Sequence, residues 1–194
     1  MKLILASRNA HKVAEVQKML SPHGFEVTSL LSYPELADIP ETGETFEENA
    51  LIKARFAFKT LGIPTIADDS GICIDALNGA PGVYSKRFSD EGTDKANNAL
   101  LLAKLDGCSL RTARYACAMA IVAPKGEETL LEHCEGRIGT EYVGSGGFGY
   151  DPLFWPVDAP GKTMAQLTMD EKNKISHRGK AVRKLPSMLK KILY

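Results

Sequence analysis

The stretch that most constrains the fold is residues 111–122, where apolar side chains lie on both faces of a predicted strand. One face carries Tyr115, Cys117 and Met119, and small residues such as Ala118 and Ala120 lie on the other. A strand that is apolar on both faces is typical of the centre of a sheet that is covered on both sides. These residues therefore predict a buried central strand.

Helix and strand patterns alternate towards both ends of the chain, and a second long strand is predicted at residues 128–140. The polar turn at residues 125–127 favours an antiparallel pair of long strands. This order of elements is typical of a mixed α/β fold, with a long twisted central sheet flanked by helices. We expect a single domain over residues 1–194, formed of two lobes with the active-site cleft between them.

Charge and cysteine content exclude several classes of protein. Lys plus Arg and Asp plus Glu both number 24, so no net field favours a nucleic-acid polymer or an anionic membrane. The four cysteines show no CxxC spacing, and we interpret them as reduced packing residues. No stretch reaches the roughly 20 apolar residues of a membrane span, and the apolar start of the chain ends too early for a signal peptide. We expect a cytoplasmic protein.

Two adjacent carboxylates, Asp68 and Asp69, follow an apolar strand at residues 63–67. Ser70 and Gly71 are turn formers, so the pair is predicted to lie in an acidic turn. Adjacent like charges repel, and burial increases the penalty, so such a pair favours a cation, a metal or water nearby. The residues alone leave a solvated corner and a metal or general-base site equally open.

Basic and polar residues lie at two predicted helices. Ser7, Asn9 and Lys12 lie where a strand gives way to a helix, a junction whose free backbone N–H groups can bind an anion. The alternative is that Ser7 or Asn9 only caps the helix.

Lys53 lies on or beside the apolar stripe of a helix that begins with a capping box at residues 45–48. Its stem either snorkels along that face, or its ammonium points into a site near the acidic turn.

The richest glycine stretch, residues 144–152, holds Phe148 and Tyr150 beside Asp151. Glycines let the backbone approach a ligand, and the two rings could hold a planar base. The alternative is a mobile loop with hydrophobic anchors. Further along, Lys172 lies on a short predicted helix. At residues 176–178, the start of another predicted helix carries the imidazole of His177 and the guanidinium of Arg178.

Taken together, five motifs resemble those of the inosine triphosphate pyrophosphatase family, whose members hydrolyse non-standard purine nucleoside triphosphates. They are residues 7–12 (SRNAHK), 45–53 (TFEENALIK), 67–71 (ADDSG), 147–152 (GFGYDP) and 175–179 (ISHRG). The resemblance implies hydrolysis of ITP, dITP, XTP and dXTP to the monophosphate and pyrophosphate, by attack of water at the α-phosphorus. It also implies a homodimer.

The resemblance further implies a role for each matching residue. Asp69 would be the general base, and Glu41 and Asp69 would bind the cofactor Mg²⁺, with Asp68 as a supporting acid at the metal. Lys53 would contact phosphate and act with Asp69 in catalysis. The substrate-binding residues would be Ser7, Asn9, Lys12, Lys53, Ser70, Phe148, Gly149, Tyr150, Asp151, Lys172, His177 and Arg178.

Within that last set, Phe148 and Tyr150 would sandwich the base, and Lys172, His177 and Arg178 would read it. Two other functions stay open. One is a house-cleaning pyrophosphatase for modified pyrimidine or other nucleotides. The other is a nucleotide sensor without turnover, which the adjacent acids disfavour because a pocket for a polyanion gains nothing from carboxylates without a metal.

Overall fold

The computed structural model describes residues 1–193 and contains a six-stranded sheet with the strand order β2-β1-β3-β4-β5-β6. The strands are β1 Lys2–Leu5, β2 Glu26–Ser29, β3 Thr65–Ile74, β4 Thr112–Ala123, β5 Gly126–Ile138 and β6 Phe154–Pro156. The α-helices of these residues are α1 Ala10–Leu20, α2 Phe46–Leu61, α3 Asp94–Lys104, α4 Met169–Ile175 and α5 His177–Leu193. The predicted mixed α/β fold is confirmed.

The chain forms two compact units. The first comprises residues 1–69, residues 117–132 and the C-terminal stretch from Arg178, and the second comprises residues 70–116 and 133–177. Strands β3, β4 and β5 contribute residues to both units. A single functional domain over residues 1–194 stays a prediction.

The first unit buries apolar residues of strands and helices together. Strand β1 pairs in parallel with β2 and with β3. Leu3 and Leu5 of β1 pack in one cluster with Val16 of α1, Met119 of β4 and Leu185 of α5. Nearly all residues of β4 are buried, on both faces of the strand, as its apolar pattern predicts.

The second unit has its own core. It includes Ile72 and Ile74 from β3, Leu101 from α3, and the rings of Tyr115 and Phe154, whose centroids lie 4.6 Å apart. Each unit therefore buries a separate set of apolar side chains.

Local sequence signals set the bounds of α2. Thr45 Oγ1 accepts the backbone N–H of Glu48, and the Glu48 carboxylate accepts the N–H of Thr45, which forms the predicted capping box. The helix ends at Gly62 in the left-handed conformation, with φ of +68°. A second capping box, formed by Thr168 and Glu171, begins the predicted short helix that carries Lys172, which is α4.

The prediction of an acidic turn is wrong. Asp68, Asp69, Ser70 and Gly71 lie inside β3, which continues without a break from Thr65 to Ile74. Serine and glycine are weak strand formers, but burial of the flanking apolar residues and pairing within the sheet override that local preference.

Strand β6 was not predicted from the sequence. It pairs antiparallel with the end of β5, where Gly136 faces Pro156 and Ile138 faces Phe154. A Cβ at Gly136 would lie 2.5 Å from the carbonyl oxygen of Trp155, so the absence of a side chain lets β6 approach. No helix within residues 1–193 has the length and apolar character needed to cross a bilayer.

Leu185 tests the core of the first unit. The side chain is fully buried on α5, so Leu185→Ala should lower the free energy of unfolding by about 2–5 kcal/mol through lost contacts and a cavity. Urea unfolding followed by circular dichroism measures this change. The control Lys190→Ala, an exposed position on the same helix, should change it by less than about 0.5 kcal/mol. Equal losses in the two variants would contradict the core position of Leu185.

Candidate active site

The junction between β1 and α1 holds the predicted phosphate-binding residues. Asn9 caps α1, because its Oδ1 accepts hydrogen bonds from the backbone N–H groups of His11 (3.0 Å) and Lys12 (3.3 Å). Ser7 Oγ accepts the backbone N–H of Asn9 at 3.2 Å. The capping interpretation is therefore confirmed for Asn9, and phosphate binding by Ser7 and Asn9 stays a prediction.

Asp68 and Asp69 are consecutive residues of β3, so their side chains point to opposite faces of the sheet. Their exposed fractions are only 1% and 6%. Ser70, the next residue of the strand, is half-buried. Because a buried carboxylate needs a compensating partner, each aspartate must find its own partners on its own face.

Asp68 is held by two cations. Its Oδ2 lies 2.8 Å from Lys12 Nζ and 3.2 Å from Arg178 Nη2. Burial acts to raise the pKa of Asp68, but Lys12 and Arg178 together lower it below the ordinary value of a carboxyl group. Asp68 is therefore ionised at neutral pH.

Arg178 joins Asp68 to a second buried carboxylate, Glu15 of α1. The guanidinium Nη1 donates to Glu15 Oε2 at 2.6 Å, and Nε donates to Asp68 Oδ2 at 3.3 Å. Sequence reasoning missed Glu15. Its position three residues after Lys12, on the same side of α1, is the signal that could have found it. The prediction that Arg178 reads the base stays a prediction.

Lys53 points at Asp69. It lies on the buried face of α2, and its Nζ is 2.8 Å from Asp69 Oδ1 and 2.8 Å from Glu41 Oε1. Burial acts to lower the pKa of Lys53, but the surrounding carboxylates raise it above its ordinary value. Of the two interpretations of Lys53, the ammonium directed at acidic residues is therefore confirmed.

The two carboxylate oxygens of Asp69 have different hydrogen-bonding environments, and Lys53 contacts only Oδ1. Oδ2 is buried and makes no hydrogen bond within residues 1–193. Burial raises the pKa of Asp69 above its ordinary value, although Lys53 acts in the opposite direction. A buried acceptor that no protein group satisfies suits a bound water or cation, and a raised pKa makes the carboxylate a stronger base.

Glu41 and Asp69 are the residues best suited to a divalent cation. Carboxylate oxygens are the ligands that Mg²⁺ prefers, and the carboxylates of both residues lie 2.8 Å from the same Lys53 Nζ. In the described part of the chain, no group of three or more His, Cys, Asp or Glu side chains could hold a metal. The protein therefore offers few ligands, and Mg²⁺ commonly completes its coordination with water and substrate phosphates.

In the second unit, the glycine-rich loop folds around one carboxylate. Asp151 Oδ2 accepts the backbone N–H of Phe148 at 3.0 Å and lies 2.7 Å from Lys172 Nζ. Lys172 Nζ also lies 4.5 Å from the centre of the Phe148 ring. A Cβ at Gly147 would fall 2.1 Å from Asp151 Oδ2, so only glycine fits there.

The two aromatic rings of this loop have different surroundings. Tyr150 is 4% exposed, belongs to the core of the unit, and donates its hydroxyl to the carbonyl oxygen of Ser85 at 2.7 Å. Phe148 is only half-buried. Stacking of a base between both rings stays a prediction, and Phe148 is the ring that keeps accessible surface.

Sequence reasoning also missed two residues of α3 that hold Gly149. Asp94 Oδ2 accepts the backbone N–H of Gly149 at 2.7 Å, and Asn98 Nδ2 donates to the Gly149 carbonyl oxygen at 2.9 Å. The two residues lie one helical turn apart, so one face of α3 binds both sides of the same glycine. No local pattern could have found them, because their partner is far away in the chain.

Tyr115 of β4 is a further residue that the sequence did not indicate as part of the site. Its hydroxyl lies 3.3 Å from Asp151 Oδ1, and its ring stacks on that of His177 with centroids 4.7 Å apart. The sequence identified Tyr115 only as a residue on one face of a buried strand.

Comparison with known proteins shows the family of this chain. The model of the Ham1 family matches residues 3–188. A dITP/XTP pyrophosphatase of Exiguobacterium sp. is 54% identical over 187 residues, which cover 95% of each chain. A dITP/XTP pyrophosphatase of Geobacillus kaustophilus is 46% identical over 195 residues, covering 98% of this chain and 95% of the relative.

Solved structures resemble the fold over nearly the same length. The Ham1 protein of Staphylococcus aureus superimposes with a TM-score of 0.86 at 36% identity, covering 98% of this chain and 99% of that one. The nucleoside-triphosphatase, or dITP/XTP pyrophosphatase, of Mycobacterium abscessus has a TM-score of 0.77 at 46% identity, covering 95% and 98%. The resemblance indicated by the sequence motifs is confirmed, and this chain belongs to the Ham1 family.

Proposed function

We propose that this protein hydrolyses non-standard purine nucleoside triphosphates, namely ITP, dITP, XTP and dXTP, to the nucleoside monophosphate and pyrophosphate. The observation that carries the proposal is 54% identity to a dITP/XTP pyrophosphatase over 95% of each chain. The buried Lys53–Asp69 pair supports it, because transfer of the nucleotidyl group to water needs a cation and a base.

In this proposal, residues of the first unit act on the triphosphate. Lys12 and Lys53 supply positive charge, and the positive end of the α1 dipole lies beside Ser7 and Asn9. These groups stabilise the negative charge that builds up on pyrophosphate as it leaves.

Asp69 serves as the general base. Lys53 holds Oδ1, so Oδ2 is the oxygen that accepts a proton from water. The oxygen of that water forms a bond to the α-phosphorus while the bond from the α-phosphorus to the bridging oxygen breaks. The raised pKa of Asp69 supports this role, since a stronger base accepts the proton more readily.

A divalent cation, Mg²⁺ by the family resemblance, would be held by Glu41 and Asp69 and would neutralise negative charge on the phosphate oxygens. Asp68 acts from the other face of β3 as a supporting acid, where it holds Lys12 and Arg178 in place.

Residues of the second unit recognise the base. Phe148 offers a ring for stacking, and the donors of Lys172 and His177 face the 6-keto oxygen of hypoxanthine or xanthine. The 6-amino group of adenine would place donors against donors and leave them unpaired. Guanine also has a 6-keto group, so its rejection must depend on the 2-position.

The proposal includes two further properties. A homodimer is expected from the family resemblance. A cytoplasmic location is expected because the proposed substrates belong to the nucleotide pool.

A substrate panel tests the proposed function. With Mg²⁺ present, ITP and XTP should give monophosphate and pyrophosphate with kcat/KM about 30-fold or more above that for ATP, because an unpaired buried donor costs about 1–3 kcal/mol and two donors are involved. Pyrophosphate release and product identity are measured for ITP, XTP, GTP, ATP and modified pyrimidine triphosphates. A preference for the pyrimidines would favour the house-cleaning alternative, and tight binding of ITP without turnover would favour the sensor.

Asp69→Asn tests the general base. Turnover of ITP should fall about 100-fold to 10,000-fold, because the amide cannot accept the proton from water. The thermal unfolding transition should stay near that of the wild type, because Lys53 keeps Glu41 as a charge partner. Asp106→Asn makes the same chemical change at an exposed position and should leave turnover unaltered. A near-normal rate for Asp69→Asn would remove Asp69 from the role of base.

Asp68→Asn tests the division of roles between the two aspartates. It should lower the free energy of unfolding by about 3–5 kcal/mol at pH 7, because Arg178 and Lys12 lose a buried charge partner. The folded-state pKa of Asp68 is lowered, so its stabilisation is complete above the ordinary value of 3.8 and is lost as pH falls further. The difference between wild type and variant should therefore shrink below about pH 4. A difference that grows in acid would contradict this assignment.

A further inference from the structure

Tyr115 is a buried residue of β4 for which the proposed mechanism has no use. It is 7% exposed, and its ring contacts two other rings of the second unit. The ring of His177 is stacked on it, with centroids 4.7 Å apart and planes inclined by only 8°. The ring of Phe154 packs beside it at 4.6 Å with an inclination of 55°.

The hydroxyl of Tyr115 reaches a second group of the proposed base-recognition site. It donates to Asp151 Oδ1 at 3.3 Å, while Asp151 Oδ2 receives Lys172 Nζ at 2.7 Å. Burial, with Asp151 as a further cause, raises the pKa of Tyr115 well above its ordinary value. The phenol therefore stays protonated and keeps its donor.

One side chain thus contacts His177 directly and reaches Lys172 through the carboxylate of Asp151. Its ring sets the plane of the His177 imidazole, and its hydroxyl holds the carboxylate that positions the Lys172 ammonium. Donors discriminate a keto oxygen from an amino group only if they cannot turn away from the wrong group. A single rigid aromatic residue with two contacts is suited to that requirement.

We infer that Tyr115 is a positioning residue for base selectivity, which keeps Lys172 and His177 in a fixed arrangement towards a 6-keto purine. The inference deepens the proposed function and rests on it. Tyr115 itself does not touch the base. It acts through Asp151 and through the stack on His177.

Two variants separate the contacts of Tyr115. Tyr115→Phe keeps the stack on His177 and removes the hydroxyl that Asp151 accepts. It should raise KM for ITP about tenfold with kcat within about twofold of the wild type, as expected when binding common to ground and transition states is lost. The ratio of kcat/KM for ITP over ATP should fall. Tyr115→Leu removes both contacts and should lower this ratio further.

Tyr142→Phe is the matched control. It removes a hydroxyl from a tyrosine of the same unit that is 48% exposed, and it should leave both KM and the ITP-to-ATP ratio unchanged. The comparison excludes a general effect of losing one tyrosine hydroxyl.

Proton NMR of the imidazole groups gives a readout that does not depend on turnover. The chain has four histidines, and His177→Gln assigns the signal of His177. A ring stacked at 4.7 Å should shift that signal upfield. Tyr115→Phe should keep the shift, and Tyr115→Leu should abolish it.

The outcomes separate the inference from the proposed function. A wild type that does not prefer ITP to ATP would overturn the proposed function, and the selectivity role of Tyr115 with it. A wild type that prefers ITP, together with a Tyr115→Phe variant of unchanged KM and unchanged ITP-to-ATP ratio, would overturn the inference alone. Loss of the His177 shift in Tyr115→Phe would show that the hydroxyl, and not only the ring, maintains the stack.

Discussion

Pairing of buried charges is the interaction on which the first unit depends. Removing a charge from water costs several kcal/mol unless an opposite charge lies beside it. Two aspartates that are adjacent in a buried strand can both satisfy this condition only because strand geometry sends their side chains to opposite faces. Asp68 meets Lys12 and Arg178 on one face, and Asp69 meets Lys53 on the other. A single step along the strand therefore separates two carboxylates that would otherwise repel each other.

The same geometry explains how two identical side chains take different roles in the proposed reaction. Asp68 has two cations on one oxygen, and its pKa is lowered, so it stays ionised and structural. Asp69 keeps an oxygen that has no donor within residues 1–193, and its pKa is raised by burial. Differences of environment, rather than of residue type, commonly assign carboxylates to separate tasks in an active site.

The second unit solves a different problem, which is to hold a flexible glycine-rich loop. Asp151 binds the loop from within through the N–H of Phe148, and α3 binds both sides of Gly149 from without. The residue after Gly149, Tyr150, is anchored in the core of the unit. A loop fixed at three consecutive residues can present a ring and donors with little loss of conformational entropy on binding.

The sequence by itself determined the elements with strong local signals, namely the capped helix α2, the buried strand β4 and the turn between the two long strands. It also determined the family, because five separated motifs occur in order, but it left two directions open for Lys53, which the contact with Asp69 then decided. Tertiary structure alone decided that the acidic residues lie within a strand, since burial and pairing overrode the turn preference of Ser70 and Gly71. It also decided the partners of Asp68, the core position of Tyr150 and the contacts of Tyr115. These contacts depend on residues that are distant in the chain. The spacing of apolar residues along the sequence indicates only which face of its own helix or strand a residue occupies.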